Sequence, residues 1–181
     1  MGKWSRQELE EAFDNVQRVT LEAFGKGNLD QWVDLFTEDC TYVEHYYGTF
    51  CGREAVRKWF KLAMTPYPAT EMKYAPVEWY IIDEERGWVV FQAWSRMSEP
   101  GDLSIHQWPY FCLMKYAGHG KWSYEEDMYN PMEAAECNER WEQAKERTGF
   151  GRGTPEEFPK TQKQLQQDGG AWPEPTGRAK R

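Results

Sequence analysis

The sequence predicts an α+β fold: a curved antiparallel sheet wrapped around helices. Three observations point there. Segments with helical periodicity crowd the first third of the 181-residue chain, and four strand-like runs separated by short turn signals follow. Aromatic residues make up 16 %, ten Trp among them, which suits a core or cavity lined with rings. Short breaks between strands mean hairpins, hence an antiparallel meander. By analogy with known curved sheets closed by helices, such an arrangement leaves a cone with a central pocket.

The elements follow in order. Ser5-Arg6-Gln7-Glu8 reads as a capping box, and Leu9, Ala12, Phe13, Val16, Val19, Ala23 and Phe24 recur at helical spacing behind it. Gly25 and Gly27 are the expected stop. Asn28 is placed to cap a second helix with the apolar face Leu29, Trp32, Val33 and Phe36. A strand is expected over Cys40–Tyr47, a turn or short strand over Gly48–Gly52, and a third helix over Arg53–Met64. Thr65–Tyr74 reads as a loop holding Pro66 and Pro68. The four strand-like runs are Ala75–Asp83, Trp88–Met97, Leu103–Tyr116 and Lys121–Tyr129. Asn130-Pro131 opens a last helix that runs to about Thr148.

Residues 1–149 are therefore one domain, and residues 150–181 form an extended or disordered tail. That tail is rich in Gly, Pro, Gln and charge, with Phe158 and Trp172 as its possible docking points. Residues 151–181 carry net +2 against −8 for the whole chain, which leaves −10 on the remaining 150. So acidic a body argues against nucleic acid or anionic membrane as a partner. Cys40, Cys51, Cys112 and Cys137 form no C-x-x-C pair, so free, mostly buried thiols are expected. The N-terminus reads as a helix start rather than a signal segment, and Arg6 breaks the myristoylation pattern. No apolar run is long enough to span a bilayer, and a cytoplasmic location is expected.

Four separated stretches carry a resemblance. They are Gly27-Asn28-Leu29-Asp30, Leu35-Phe36-Thr37-Glu38-Asp39-Cys40, Gly52-Arg53-Glu54-Ala55-Val56, and Gly118-His119-Gly120-Lys121. Together with the element order, they make residues 5–147 resemble the nuclear-transport-factor-two-like superfamily. The nearer likeness is to its SnoaL-like polyketide cyclase and ketosteroid isomerase branch. The resemblance implies a cystatin-like cone and homodimers formed through the outer sheet face. The superfamily hosts isomerases, cyclases, dehydratases, epoxide hydrolases and non-enzymes. Counting from Asp39, the isomerases' general base falls on Glu44. Their oxyanion partners fall near Thr20 and on Cys112, so that donor set is not retained. The cyclases' catalytic Asp at the end of the last strand falls on Asn130.

On these grounds Glu44 is the expected base, because a carboxylate desolvated by aromatic rings can take a proton from carbon. A structural alternative pairs it with Arg53, Arg57 or Arg96. Alternation puts His106, Trp108, Tyr110, Cys112 and Met114 on one strand face, which is the cavity face if Cys112 is inward. His106, Tyr42 and Tyr110 are then the hydrogen-bond partners of the reacting substrate. Trp122, Tyr124, Glu126 and Met128 share a face of the last strand, with Glu125 and Asp127 opposite. Expected substrate contacts are Trp94, Arg96, Trp108, Cys112, Tyr124 and Glu126. His45 should face away from Glu44, so a site of two His and a carboxylate is disfavoured, and neither metal nor cofactor is expected. The leading expectation is a cofactor-independent lyase, isomerase or cyclase acting on a hydrophobic, oxygenated ring compound. The alternative is a non-catalytic ligand-binding or assembly protein.

Overall fold

Helix α1 (Arg6–Lys26) starts at Ser5, whose Oγ accepts the Glu8 N–H at 3.1 Å in the computed structural model, which describes residues 2–149. The capping box is only half made. Glu8 accepts the Tyr116 hydroxyl at 3.1 Å instead and so ties the helix to the far end of the sheet. Leu9, Phe13, Val16 and Ala23 bury one stripe of the helix. Gly25 does not stop it: the helix runs through Lys26, and Gly27 closes it at φ +75° in the left-handed region.

Helix α2 (Leu29–Val33) is a short turn of helix, and Asn28 gives it no side-chain cap. Strand β1 (Phe36–Glu44) begins earlier than Cys40, because Phe36 leaves the helix pattern to pair opposite Trp122. Its ring stays against Trp32, 4.9 Å between centroids, so one apolar position satisfies both readings of the sequence. Strand β2 (Gly48–Cys51) and helix α3 (Arg53–Met64) follow as expected. The expected loop contains a 3₁₀ turn at Ala69–Glu71 and strand β3 (Met72–Tyr74), with a cis peptide at Tyr67-Pro68. Strands β4 (Val77–Asp83), β5 (Trp88–Met97), β6 (Gln107–Gly118) and β7 (Lys121–Tyr129) complete the sheet. Helix α4 (Pro131–Thr148) is capped by Asn130 Oδ1, which accepts the Met132 N–H at 3.0 Å.

The sheet order is β2-β1-β7-β6-β5-β3, with β4 also paired to β5. It is antiparallel except at one place: β1 lies parallel to β7. This long-range pairing sets Tyr42 opposite Glu125 and Glu44 opposite Asp127. β7 also carries a bulge. Tyr116 faces Trp122 but Lys115 faces Tyr124, leaving Ser123 as an extra residue. The bulge reverses the in–out phase of the strand between Trp122, fully buried, and Glu125, also buried.

The core lies between α1, α2, α3 and the concave sheet face, with Phe13, Phe36, Met114 and Trp122 at its centre. α4 packs at the other end, where buried Trp141 donates its Nε1–H to Ser98 O at 2.7 Å. On the opposite sheet face Ile81, Phe111 and Met128 are exposed. Cys40, Cys112 and Cys137 are buried free thiols, and Cys51 is exposed. Among the described residues no helix is long and apolar enough to cross a membrane. The tail expected over residues 150–181, with Phe158 and Trp172, lies outside the described residues.

Candidate functional site

The concave face of the sheet and helices α1, α3 and α4 enclose a cavity of about 760 Å³. Val16, Phe60, Phe91 and Met114 form apolar walls, while Tyr46, Tyr47, Leu62 and Tyr67, all well exposed, mark the mouth. Three carboxylates line it: Glu44, Glu125 and Asp127. Among the described lining residues there is no Lys, Arg or His.

Glu44 is 3 % exposed. Its Oε2 accepts the backbone N–H groups of Tyr46 (2.8 Å) and Tyr47 (2.6 Å) at the turn after β1, while Oε1 is buried without a partner. The arginines weighed as its partners are engaged elsewhere. Arg53 donates to Phe36 O, Arg57 reaches Asp30 and Asp34, and Arg96 donates to Gln107 Oε1 at 2.6 Å. One turn of pleat away, Asp127 Oδ2 accepts the Tyr42 hydroxyl, and Oδ1 has no partner. Glu125, 5 % exposed, likewise keeps a buried Oε2 unpaired.

Burial pushes the Asp127 carboxyl up to about 6, opposed by the Tyr42 hydrogen bond and reinforced by Glu44. Burial, then the Asp127 charge, holds Glu125 well above the usual carboxylate range. Burial also raises the Tyr110 and Tyr129 hydroxyls, which therefore remain protonated donors at neutral pH. The pocket thus contains two neighbouring buried acids whose carboxyls are both held above the usual range, so that they resist ionising together. Cys112, Glu125 and Asp127 offer ligand atoms within 4.8 Å of one another, the one group among the described residues with metal-ligand types so placed. Trp59 also lines the pocket, and its buried Nε1–H is unpaired.

Glu44, Tyr42, Trp108 and Tyr110 line the cavity, and Cys112 is buried beside its acids. The other expected site residues lie elsewhere. His106 precedes β6 and hydrogen-bonds Ser104 Oγ at 2.8 Å, outside the cavity lining, with burial lowering its pKa. Trp94 and Arg96 alternate with Ser95 and Met97, which line the cavity, and so take the opposite sheet face. There Trp94 Nε1 donates to Glu78 at 2.9 Å. Tyr124 and Glu126 are corrected by the Ser123 bulge. Tyr124 donates to Glu126 at 2.7 Å, and His45 reaches the same carboxylate at 2.8 Å on the outer face. Those two hydrogen bonds, Tyr124 first, lower the Glu126 pKa. Thr20 lines the cavity and Asn130 serves as a helix cap. Glu125, Asp127, Tyr129 and Trp59 were not among the expected site residues. The available signal was the acidic run Glu125-Glu126-Asp127 inside an aromatic strand, but its phase depended on the bulge.

A helical layer over a curved, mostly antiparallel sheet, with three acids on the wall of the cavity between them, narrows the family, and the SnoaL-like domain profile matches residues 16–123. The chain belongs to the SnoaL-like domain family. No curated protein sequence matches it. Solved structures of the same fold include an NTF2-like protein from Anabaena variabilis, 13 % identical, with TM-score 0.54 over 72 % of this chain and 95 % of that one. A candidate polyketide cyclase from Xanthomonas campestris pv. campestris is 14 % identical, TM-score 0.53, over 72 % and 98 % of the two chains. The epoxide hydrolase/cyclase-like enzyme SalBIII, named for pyran ring formation in salinomycin, is 14 % identical, TM-score 0.53, over 71 % and 95 %. At such identities the likeness is one of fold. In this SnoaL-like chain the acids come from β1 and β7, the two strands that lie parallel.

Proposed function

We propose that this SnoaL-like protein is a cofactor-independent acid–base enzyme of the lyase, isomerase or cyclase type. Its substrate in this reading is a hydrophobic, oxygenated ring compound. The observation that carries the reading is the buried Glu125–Asp127 pair, each with an unpaired oxygen, on the wall of an aromatic cavity. Asp127 removes a proton from carbon, since its raised pKa matches a base working near neutrality. Glu125, held protonated, returns a proton to the product or to a leaving oxygen. Trp59 Nε1–H and the Tyr129 hydroxyl donate to the oxygen on which charge develops, replacing the donors that the isomerase pattern would place at Thr20 and Cys112. Glu44, tied to two backbone N–H groups, holds a second polar group of the substrate.

Deuterium uptake from D₂O at the α-carbon of α-tetralone and of a Δ5-3-ketosteroid tests this. The wild type accelerates uptake, and Asp127→Asn lowers the rate by about 100-fold or more while ligand-induced Trp quenching persists. Unchanged exchange in Asp127→Asn removes Asp127 as the base. One observation favours the second reading, a binding protein without turnover: no cationic side chain lines the described cavity to polarise a substrate oxygen. Quenching by the ring compounds with no acceleration of exchange would support that reading.

A further inference from the structure

We infer that the molecule this pocket accepts carries a protonated amine, seated among Glu44, Glu125 and Asp127, with its hydrocarbon body against the aromatic walls. The inference deepens the proposed function and rests on the cavity being the working site.

Three observations combine. First, each of the three carboxylates keeps one buried oxygen with no hydrogen bond of normal geometry, Glu44 Oε1, Glu125 Oε2 and Asp127 Oδ1, with only the Tyr129 hydroxyl near Glu44 and the weakly donating Cys112 thiol near Glu125 and Asp127. Glu44 and Glu125 are 3 % and 5 % exposed and so are largely withdrawn from bulk solvent. Buried polar atoms are almost always paired, and unpaired ones at a cavity wall mark where a ligand's donors belong. A primary ammonium brings three N–H donors and no acceptor, the complement of the orphan oxygens once its charge favours the ionised form of Glu125. A neutral ketone or ether brings acceptors only: it can pair with a proton-bearing Glu125 but leaves Glu44 Oε1 and Asp127 Oδ1 without a donor.

Second, charge is unbalanced in one direction. Three acids face the cavity with no Lys, Arg or His among the described lining residues, so any negative charge there is countered only by what binds. An anionic substrate would be repelled by each of these carboxylates that ionises, with no cation to offset it, whereas a cationic one is attracted. The chain as a whole, at −8, also draws cations toward the cavity mouth.

Third, the walls suit an organic cation better than a bare ion. Trp59 lies 4.8 Å from Tyr42 and 6.2 Å from Tyr47, centroid to centroid, and Trp108 and Tyr110 face the same space. Ring faces attract ammonium groups and their adjacent CH₂ groups. A cavity of about 760 Å³ accommodates a molecule of several rings, far more than a metal ion with its waters.

The test is a matched pair on the full-length protein. Isothermal titration compares 9-(aminomethyl)anthracene, cationic at neutral pH, with 9-anthracenemethanol, its neutral counterpart. The ammonium is expected to bind at least tenfold more tightly. In Glu44→Gln and in Glu125→Gln the preference falls below threefold, with an unchanged near-UV circular dichroism spectrum reporting an intact fold. Equal affinities, or tighter binding of the alcohol, overturn the inference. So does stoichiometric uptake of Zn²⁺ alone that blocks the ammonium, since the orphan oxygens would then belong to a metal. Failure here is separable from failure of the enzymatic reading. Deuterium exchange into neutral ketones without ammonium preference sinks only the amine, and ammonium preference without exchange sinks only the catalysis.

Discussion

At the scale of single residues the acids dominate. Glu125 is raised first by burial, so its charged form is disfavoured in the fold. The sign follows from linkage. Below the ordinary carboxyl range both folded and unfolded chains hold the proton, and no penalty exists. As pH rises through that range the unfolded chain ionises first, and stability falls until the folded group ionises too. Glu125→Gln is therefore expected to stabilise the protein by about 1–3 kcal/mol at pH 8, with no gain near pH 4. Urea denaturation at the two pH values measures this, and equal stabilisation at both would show that ionisation is not the cause. Trp59→Phe keeps the ring stack on Phe50 (4.8 Å) but removes the unpaired Nε1–H. It should lower turnover about 100-fold with little change in melting temperature. A variant as active as the wild type assigns the oxygen's donor elsewhere, with Tyr129 next in line.

At the scale of elements the bulge in β7 does the aiming. Strict alternation from Trp122 points Tyr124 and Glu126 inward, and the extra Ser123 points Glu125 and Asp127 inward instead. Deleting Ser123 should abolish ligand-induced Trp quenching, because either Trp122 or the acid pair must leave the interior. A soluble deletion variant that still quenches would show that the bulge is not what orients the acids. Helix ends are simpler. Gly27 sits at φ +75° with nothing within 4 Å of a built Cβ. Gly27→Ala thus meets no clash and costs about 1 kcal/mol from backbone conformation alone. A loss of several kcal/mol in urea unfolding would mean that contacts change as well.

For the whole molecule, the cone depends on α1 seated against the sheet and on β1 lying parallel to β7. Phe13, fully buried, touches Phe91 at 5.0 Å and Tyr80 at 5.1 Å and so joins helix to sheet. Phe13→Ala should cost about 3–5 kcal/mol, read as a shift of the urea midpoint. A cost under about 1 kcal/mol would show that the sheet holds its curvature without that helix contact. The parallel pairing joins strands some eighty residues apart and brings Glu44 beside Asp127. No local pattern encodes such a neighbour, because hairpin signals report only antiparallel partners.

By itself the sequence determined the element order, the caps at Ser5 and Asn130, the apolar faces of the helices, and the shared strand face of Trp108 and Tyr110, while the choice of that face as the inward one rested on the resemblance. These rest on local chemistry and on periodicity, which act within a few residues. Tertiary structure alone decided where β1 pairs, where β7 bulges, and hence that Glu125 and Asp127, rather than His106 and Glu126, stand beside Glu44. The physical reason is that strand register is set by long-range packing. One extra residue costs little locally, yet it exchanges every side chain that follows between the two faces of a sheet.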